Sequence, residues 1–381
     1  MSHNHNEIGS LQQILGKASS GHSPSQLILA EMYEYGIGVP LNPQEAVKWY
    51  SMAAGYGDIR AECQLGKLYY QGQGAEKSFL RAMECFKKAA DRGEGYAQMM
   101  LGLMNERGEG VEINFEEARN WYQKAAENGY VPAMWCLAIL YRDGKTEQSN
   151  EKEAFYWCER AAKKGFAPAQ YTLGGMYEDG RGVSKNREQA FYWYYESAQN
   201  GYVKGMFTLA IKYQRGEGTE QNDENAFYWY LQAAKEEFAE AQMCPGFMYE
   251  FGIGTAEDDE KAFLWYQKAI ENNCAEGMCL MGTMYELGKG RPVDYKEAIY
   301  WYIKAVENGS IRAQDYLGKM YEQGLGVGID YSKALYWYQK AAEHNYPPGM
   351  IHLGCMYENG KGVHEDLEKA QYWYQRAEEL T

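Results

Sequence analysis

The 381 residues contain no apolar run approaching the length of a membrane-spanning helix, so membrane insertion is not expected. Basic stripes are missing as well. Thirty-eight Lys and Arg are outnumbered by 53 Asp and Glu, the formal net charge is −15, and the two signs are mixed along the chain. That excludes the usual electrostatic footprint of a nucleic-acid or anionic-membrane binder. The opening MSHNHNEIGSLQQILGKASSG lacks a basic region followed by an apolar core, so a conventional secretory leader is not expected and a cytoplasmic location is. Export by an unconventional route would leave no mark on the sequence.

Histidine is scarce. His3, His5, His22, His344, His352 and His364 form no set with Cys or carboxylates at metal-ligand spacing, so neither a metal nor a cofactor is expected. His3 and His5 are read as part of a mobile terminus. Strand patterns are absent. The eight cysteines sit at unrelated phases, mostly where neighbouring segments carry apolar residues, and read as reduced. Cys63 with Cys85 is the one pairing left open.

What is present is periodicity. Gly36, Gly72, Gly108, Gly144, Gly180, Gly216, Gly252, Gly288, Gly324 and Gly360 fall at a constant interval with no insertion or deletion. One unit of 36 residues is therefore copied ten times. In the segment from Ala313 to Gln323, residues Ala313, Leu317, Met320 and Tyr321 share a helical stripe, and Gly324 and Gly326 end it. Asp330 opens a second helix, which presents Ala334, Trp337, Tyr338, Ala341 and Ala342. The column of Asp330 reads Asn42, Ser78, Asn114, Asn150, Asn186, Asn222, Asp258, Asp294, Asp330 and Asp366, all N-cap residues. Glu45, Glu117, Glu153, Gln189 and Glu297 stand three residues on and predict reciprocal capping boxes. Alanine is invariant from Ala46 to Ala370, and a tryptophan column from Trp49 to Trp373 is broken only at Cys85. The tryptophans are expected to be the mortar between helix pairs.

Residues 1–24 read as a polar N-terminus with a capping helix over 7–20, striped by Ile8, Leu11, Ile14, Leu15 and Ala18. Glu378 suits a solvent-facing final helix. The fold class expected is all-α, a right-handed superhelical solenoid of ten helix-turn-helix repeats continuous over residues 25–381.

The units resemble the Sel1-like repeat family, a relative of the tetratricopeptide repeat. The pattern LG-x-MY-x-x-G-x-GV followed by A-x-x-WY-x-KAA-x-x-G is read in Ala169 to Gly201 and, with Asn345 closing it, in Ala313 to Asn345. The resemblance covers residues 25–381. Departures are local: Pro245 inside a first helix predicts a kink, Asn105 replaces a tyrosine, Thr146 replaces the second glycine, and Cys85–Phe86 replaces Trp-Tyr. The resemblance implies a superhelical adaptor without chemistry of its own. In keeping with that, GTMYELGKG (Gly282–Gly290) and GCMYENGKG (Gly354–Gly362) fail as phosphate loops, because the glycine spacing is wrong and no Ser or Thr follows the lysine. No nucleophile–base pair is recognisable, and the chain is read as a non-enzyme.

Function is then sought where the copies differ. Nine residues before the glycine the column reads Leu27, Cys63, Met99, Trp135, Tyr171, Phe207, Met243, Cys279, Asp315, Ile351. Five before, it reads Glu31, Lys67, Leu103, Ile139, Gly175, Ile211, Phe247, Thr283, Lys319, Cys355. The two positions lie one helical turn apart. By analogy with tetratricopeptide geometry they face a concave groove, with Met99, Leu103, Trp135, Ile139, Tyr171, Gly175, Phe207, Ile211, Met243 and Phe247 as a partner-binding stripe in repeats three to seven. The bland alternative is inter-repeat core.

Glu34, Glu106, Glu178, Glu250, Glu286, Glu322 and Glu358 form a carboxylate ladder. It reads as a solvated face, or, if it rims the groove, as a preference for a basic amphipathic partner. The exposed tyrosine column Tyr156, Tyr192, Tyr228, Tyr300, Tyr336 and Tyr372 is read as packing. The expected function is a protein-protein adaptor binding a peptide or helix, as a monomer or weak homo-oligomer. Alternatives are a self-associating scaffold, an effector or immunity protein of the same fold, and, remotely, a hydrolase.

Overall fold

The computed structural model describes residues 3–147 and 150–380, with side chains described from Leu11 onward. Among these residues there are 21 α-helices and no strand. Helix α1 (His3–Ser19) precedes ten helix pairs, beginning with α2 (Ser23–Tyr35) and α3 (Pro43–Gly55) and ending with α20 (Pro347–Glu358) and α21 (Leu367–Glu378). The leading helix starts earlier than the apolar stripe predicts. Its Leu11, Ile14 and Leu15 pack on the buried cluster of Ala18, Leu27, Leu29 and Ala30, while Ile8 lies outside the described side chains.

The chain divides into two compact units, Met1–Asn200 and Gly201–Thr381. The first ends with α11 (Arg187–Gln199) and the second begins with α12 (Val203–Arg215). Within each unit every helix packs on the next in sequence. First helices of successive repeats also approach one another. In the first unit this holds for α6 (Gly95–Arg107) and α8 (Val131–Arg142), and in the second for α16 (Ala275–Leu287) and α18 (Ile311–Gln323).

All ten predicted N-caps form. Asn114, for example, accepts from the Glu117 amide at 3.0 Å, and Asp330 from the Lys333 amide at 3.0 Å. Four of the five predicted capping boxes do not close, however. The amides of Asn42, Asn114, Asn186 and Asp294 instead donate to the carbonyls of Tyr33, Asn105, Tyr177 and Tyr285 in the last turn of the preceding helix. The loop folds back on the helix it leaves, so the donor that a box would use is already taken.

The ten phase-setting glycines all adopt positive φ, between 61° at Gly360 and 77° at Gly180. The second glycine of the loop has a different task. A Cβ on Gly182 or Gly254 would overlap the backbone of Glu151 or Asp223, at the start of the previous repeat's second helix. Repeats are thus seated loop against helix N-terminus. Thr146, buried in repeat four, takes this place without a positive φ.

The aromatic packing is divided between two columns. Tyr50, Phe86, Tyr122, Tyr266, Tyr302 and Tyr338 are fully buried aromatics of the second helices. Of the tryptophans, Trp49, Trp157, Trp193 and Trp229 are buried, as mortar between helix pairs requires, whereas Trp121, Trp265, Trp301, Trp337 and Trp373 are half-buried. The residue after the tryptophan packs on the glycine of the first helix, as Tyr122 does on Gly102. The helix α14 (Ala239–Phe251) continues through Pro245, which is buried. All eight cysteines are free, including Cys63 and Cys85.

Candidate partner-binding surface

The carboxylate ladder is a structural network. All seven glutamates accept a hydrogen bond from the tyrosine sixteen residues later in the same repeat, from Tyr50–Glu34 to Tyr374–Glu358, at 2.5–2.9 Å. The other carboxylate oxygen often binds a lysine of the following repeat. Lys145 reaches Glu106 at 2.8 Å, Lys289 reaches Glu250 at 3.0 Å and Lys361 reaches Glu322 at 2.8 Å. Lys319 serves Glu286 from the next first helix at 2.8 Å. Glu250 and Glu286 are buried. Burial together with the adjacent carboxylate raises the pKa of these tyrosines well beyond their ordinary range. Burial works against the Glu322 carboxylate, but the hydrogen bonds from Lys361 and Tyr338 hold it below its usual value.

In most repeats the ring lies over the G of the LG pair, with Ala30 and Ala210 in that place beneath Tyr50 and Tyr230. A Cβ on Gly102, Gly282 or Gly318 would stand 2.5 Å from Tyr122, Tyr302 or Tyr338. The pairing was legible as covariation. Repeat two has Tyr70 and Phe86 in place of Glu and Tyr, and repeat four has Arg142 and Cys158 with Ala138 as the floor, so the partner is exchanged when the hydroxyl is lost. Repeat six keeps Tyr230 and offers Gln214 as acceptor at 3.0 Å.

The ten predicted binding residues fall into two sets. Those nine before the glycine pack on aromatic or apolar neighbours of their own or the adjacent repeat. In the first unit Met99 packs against two clusters, and Trp135 stacks edge-on against Phe166 while its Nε1 donates to Thr172 at 3.0 Å. Tyr171 leans on Tyr194 with ring centroids 5.5 Å apart. In the second unit Phe207 contacts Tyr230 and Phe238, and Met243 packs on the cluster around Tyr266. All five are half-buried.

Five before the glycine, Leu103, Ile139, Gly175 and Ile211 are half-buried and Phe247 is 36% exposed beside Phe251. Gly175 opens onto a cavity of about 140 Å³ lined by Tyr171, Thr172, Tyr194 and Arg142. A Cβ there would meet only the Tyr194 hydroxyl, at 3.6 Å. The tyrosines of the second-helix column are 46–52% exposed, and each packs edge-on against the tryptophan that follows it, as in Tyr192–Trp193 at 5.0 Å. Among the described residues no group of His, Cys, Asp or Glu could hold a metal, and no helix is long and apolar enough to cross a membrane.

Comparison with known proteins follows the repeat geometry. The Sel1 repeat model matches ten segments, running from residues 23–55 to residues 347–381. A protective antigen of uropathogenic Escherichia coli displaying an SLR fold is 31% identical, with a TM-score of 0.75 over 96% of this chain and 78% of its own. A Sel1 repeat protein from Oxalobacter formigenes is 30% identical, with a TM-score of 0.58 over 64% of this chain and 96% of its own. No curated protein matches. With all ten repeats matched and their packing of glycine, tyrosine and capped helix accounted for, the chain belongs to the Sel1 repeat family.

Proposed function

We propose that this protein is a non-catalytic scaffold that binds an apolar peptide or helix of a partner protein. The candidate residues are Met99, Leu103, Trp135, Ile139, Tyr171 and Gly175 in the first unit and, taken separately, Phe207, Ile211, Met243 and Phe247 in the second. Sel1 repeats generally serve protein-protein interaction, and the observation that carries this reading is local. At Gly175 the side chain is missing where the copies on either side carry Ile139 and Ile211, and the space left is floored by held aromatic rings. A stacking residue would not be deleted at that point, whereas a partner side chain could enter there.

The positions nine before the glycine act as rigid supports, because they are half-buried against neighbouring rings and clusters. Recognition belongs more to Gly175 and Phe247. Affinity capture followed by mass spectrometry, comparing wild type with Gly175→Trp and Phe247→Glu, tests this. Both variants retain helicity and melting, and a specific partner is lost from at least one. Anchors of this kind cost on the order of 2 kcal/mol when removed. A partner retained by both variants overturns the reading, and a stable dimer in light scattering redirects it to self-association.

A further inference from the structure

The second unit contains a cavity of about 220 Å³ whose electrostatics differ from those of the chain as a whole. Its apolar wall is Phe247, Phe251 and Leu287, the last two 51% and 60% exposed. Its charged residues are Glu250, Glu286, Lys319 and Arg312. Both glutamates are consumed internally: Glu250 by Tyr266 and Lys289, Glu286 by Tyr302 and Lys319. Asp315, on the same helix as Arg312, is buried and bound by His352 at 2.7 Å.

Arg312 is left over. It is half-buried, and among the described residues no carboxylate lies within ion-pair distance of it. Its side-chain contact is Tyr316, at 3.5 Å from the phenolic oxygen and 5.8 Å from the ring centroid. Tyr316 is itself fixed by parallel stacking on Tyr302 at 5.0 Å. A half-buried guanidinium beside a stacked ring and an exposed apolar wall, with no carboxylate partner among the described residues, is complementary to a carboxylate carried next to an apolar group.

We propose that this cavity docks an acidic–aromatic segment of a partner protein: an Asp or Glu side chain pairs with Arg312 while a neighbouring aromatic side chain lies on Phe247, Phe251 and Leu287. The inference rests on the scaffold reading and specifies its partner. The net charge of −15 favours a basic partner at long range. Inside a Debye length of about 8–10 Å the local arrangement governs, and here the carboxylates are already paired.

The test uses the full-length chain and short peptides blocked at both ends, of the pattern Glu-Leu-Phe, with Gln-Leu-Phe and Lys-Leu-Phe as controls, read by fluorescence anisotropy. The Glu peptide binds at least tenfold tighter than the Lys peptide, and Arg312→Gln removes that preference with an unchanged melting curve. Leu287→Glu, a substitution at an exposed rim position, weakens the Glu peptide most and keeps the measurement decisive should Arg312→Gln unfold. A Lys peptide that binds as well as the Glu peptide overturns the proposal, as does absence of binding at millimolar concentration or a preference indifferent to both substitutions. Such a failure would leave the partner lost on Gly175→Trp untouched, so the two readings fail separately.

Discussion

Tyr266 donates its hydroxyl proton to one oxygen of Glu250 at 2.7 Å, and Lys289 from the following repeat holds the other oxygen at 3.0 Å. One buried carboxylate therefore ties the two helices of a repeat to each other and to the next repeat. Tyr266→Phe leaves a buried charged acceptor short of a donor, a loss of about 1.5–3 kcal/mol. Urea denaturation reads this as a lower midpoint. Tyr266→Phe combined with Glu250→Gln costs less than the two single changes summed, since a neutral amide tolerates the missing donor better. A Tyr266→Phe protein as stable as wild type would remove the network's structural role.

Glycines in adjacent positions of one helix have opposite expected responses. Gly174→Ala places a Cβ 2.8 Å from the Tyr194 ring, while Gly175→Ala meets nothing nearer than 3.6 Å. The first destabilises by about 1–3 kcal/mol through overpacking. The second is neutral or stabilises by about 0.5–1 kcal/mol, because alanine favours a helix over glycine. Thermal melts of the two variants side by side decide it, and equal shifts would contradict the packing described.

Helix capping separates in the same way. Asn114→Ala removes the acceptor for the Glu117 amide and costs about 1 kcal/mol. Glu117→Ala changes the stability by only a few tenths, because the Asn114 amide already donates to the Asn105 carbonyl at 2.9 Å. A Glu117→Ala loss as large as that of Asn114→Ala would restore the capping box.

His352 makes the second unit's stability depend on pH. Its Nδ1 lies 2.7 Å from Asp315 and its ring 4.9 Å from that of Tyr338. The hydrogen bond to Asp315 raises its pKa above the ordinary 6.5, outweighing burial, with Glu322 reinforcing the shift and Lys319 opposing it. A raised folded-state value contributes stability that is fully present below pH 6.5 and is lost as pH rises through the folded pKa. Wild type should therefore exceed His352→Gln in melting temperature most near pH 6 and least near pH 8. A constant difference across that range would mean that His352 acts by packing alone.

Glu322 gives the opposite sign. Its folded pKa is lowered, so its contribution is present above the ordinary 4.5 and is lost as pH falls through the folded value. Lys361→Met should narrow that acid-side dependence. Melts between about pH 3 and 6, the span around an ordinary glutamate pKa, check it, and an unchanged profile would assign the lowering to Tyr338 and His352.

Much of the candidate surface was legible because a strict period turns each column into a comparison among ten environments. Gly175 stood out as an absence between Ile139 and Ile211, and the structure places a cavity there. Arg312 did not stand out. It sits outside the two columns compared, and what distinguishes it is that neighbouring charges are paired with other groups, which no column displays. The glutamate ladder misled for a related reason. Charge in a sequence suggests solvent, and only the tyrosine sixteen residues later shows the carboxylate to be bonded, with Glu250 and Glu286 buried.

From the sequence alone followed the repeat, its helices, their N-caps and their glycine terminators, since these depend on backbone conformation and hydrogen bonds within a few residues. Tertiary structure decided which aromatic fills the core, which carboxylates are already paired, and where an arginine is left with no carboxylate partner among the described residues. Those outcomes depend on side chains brought together from helices 16 to 39 residues apart, at distances of a few ångströms that spacing along the chain does not specify.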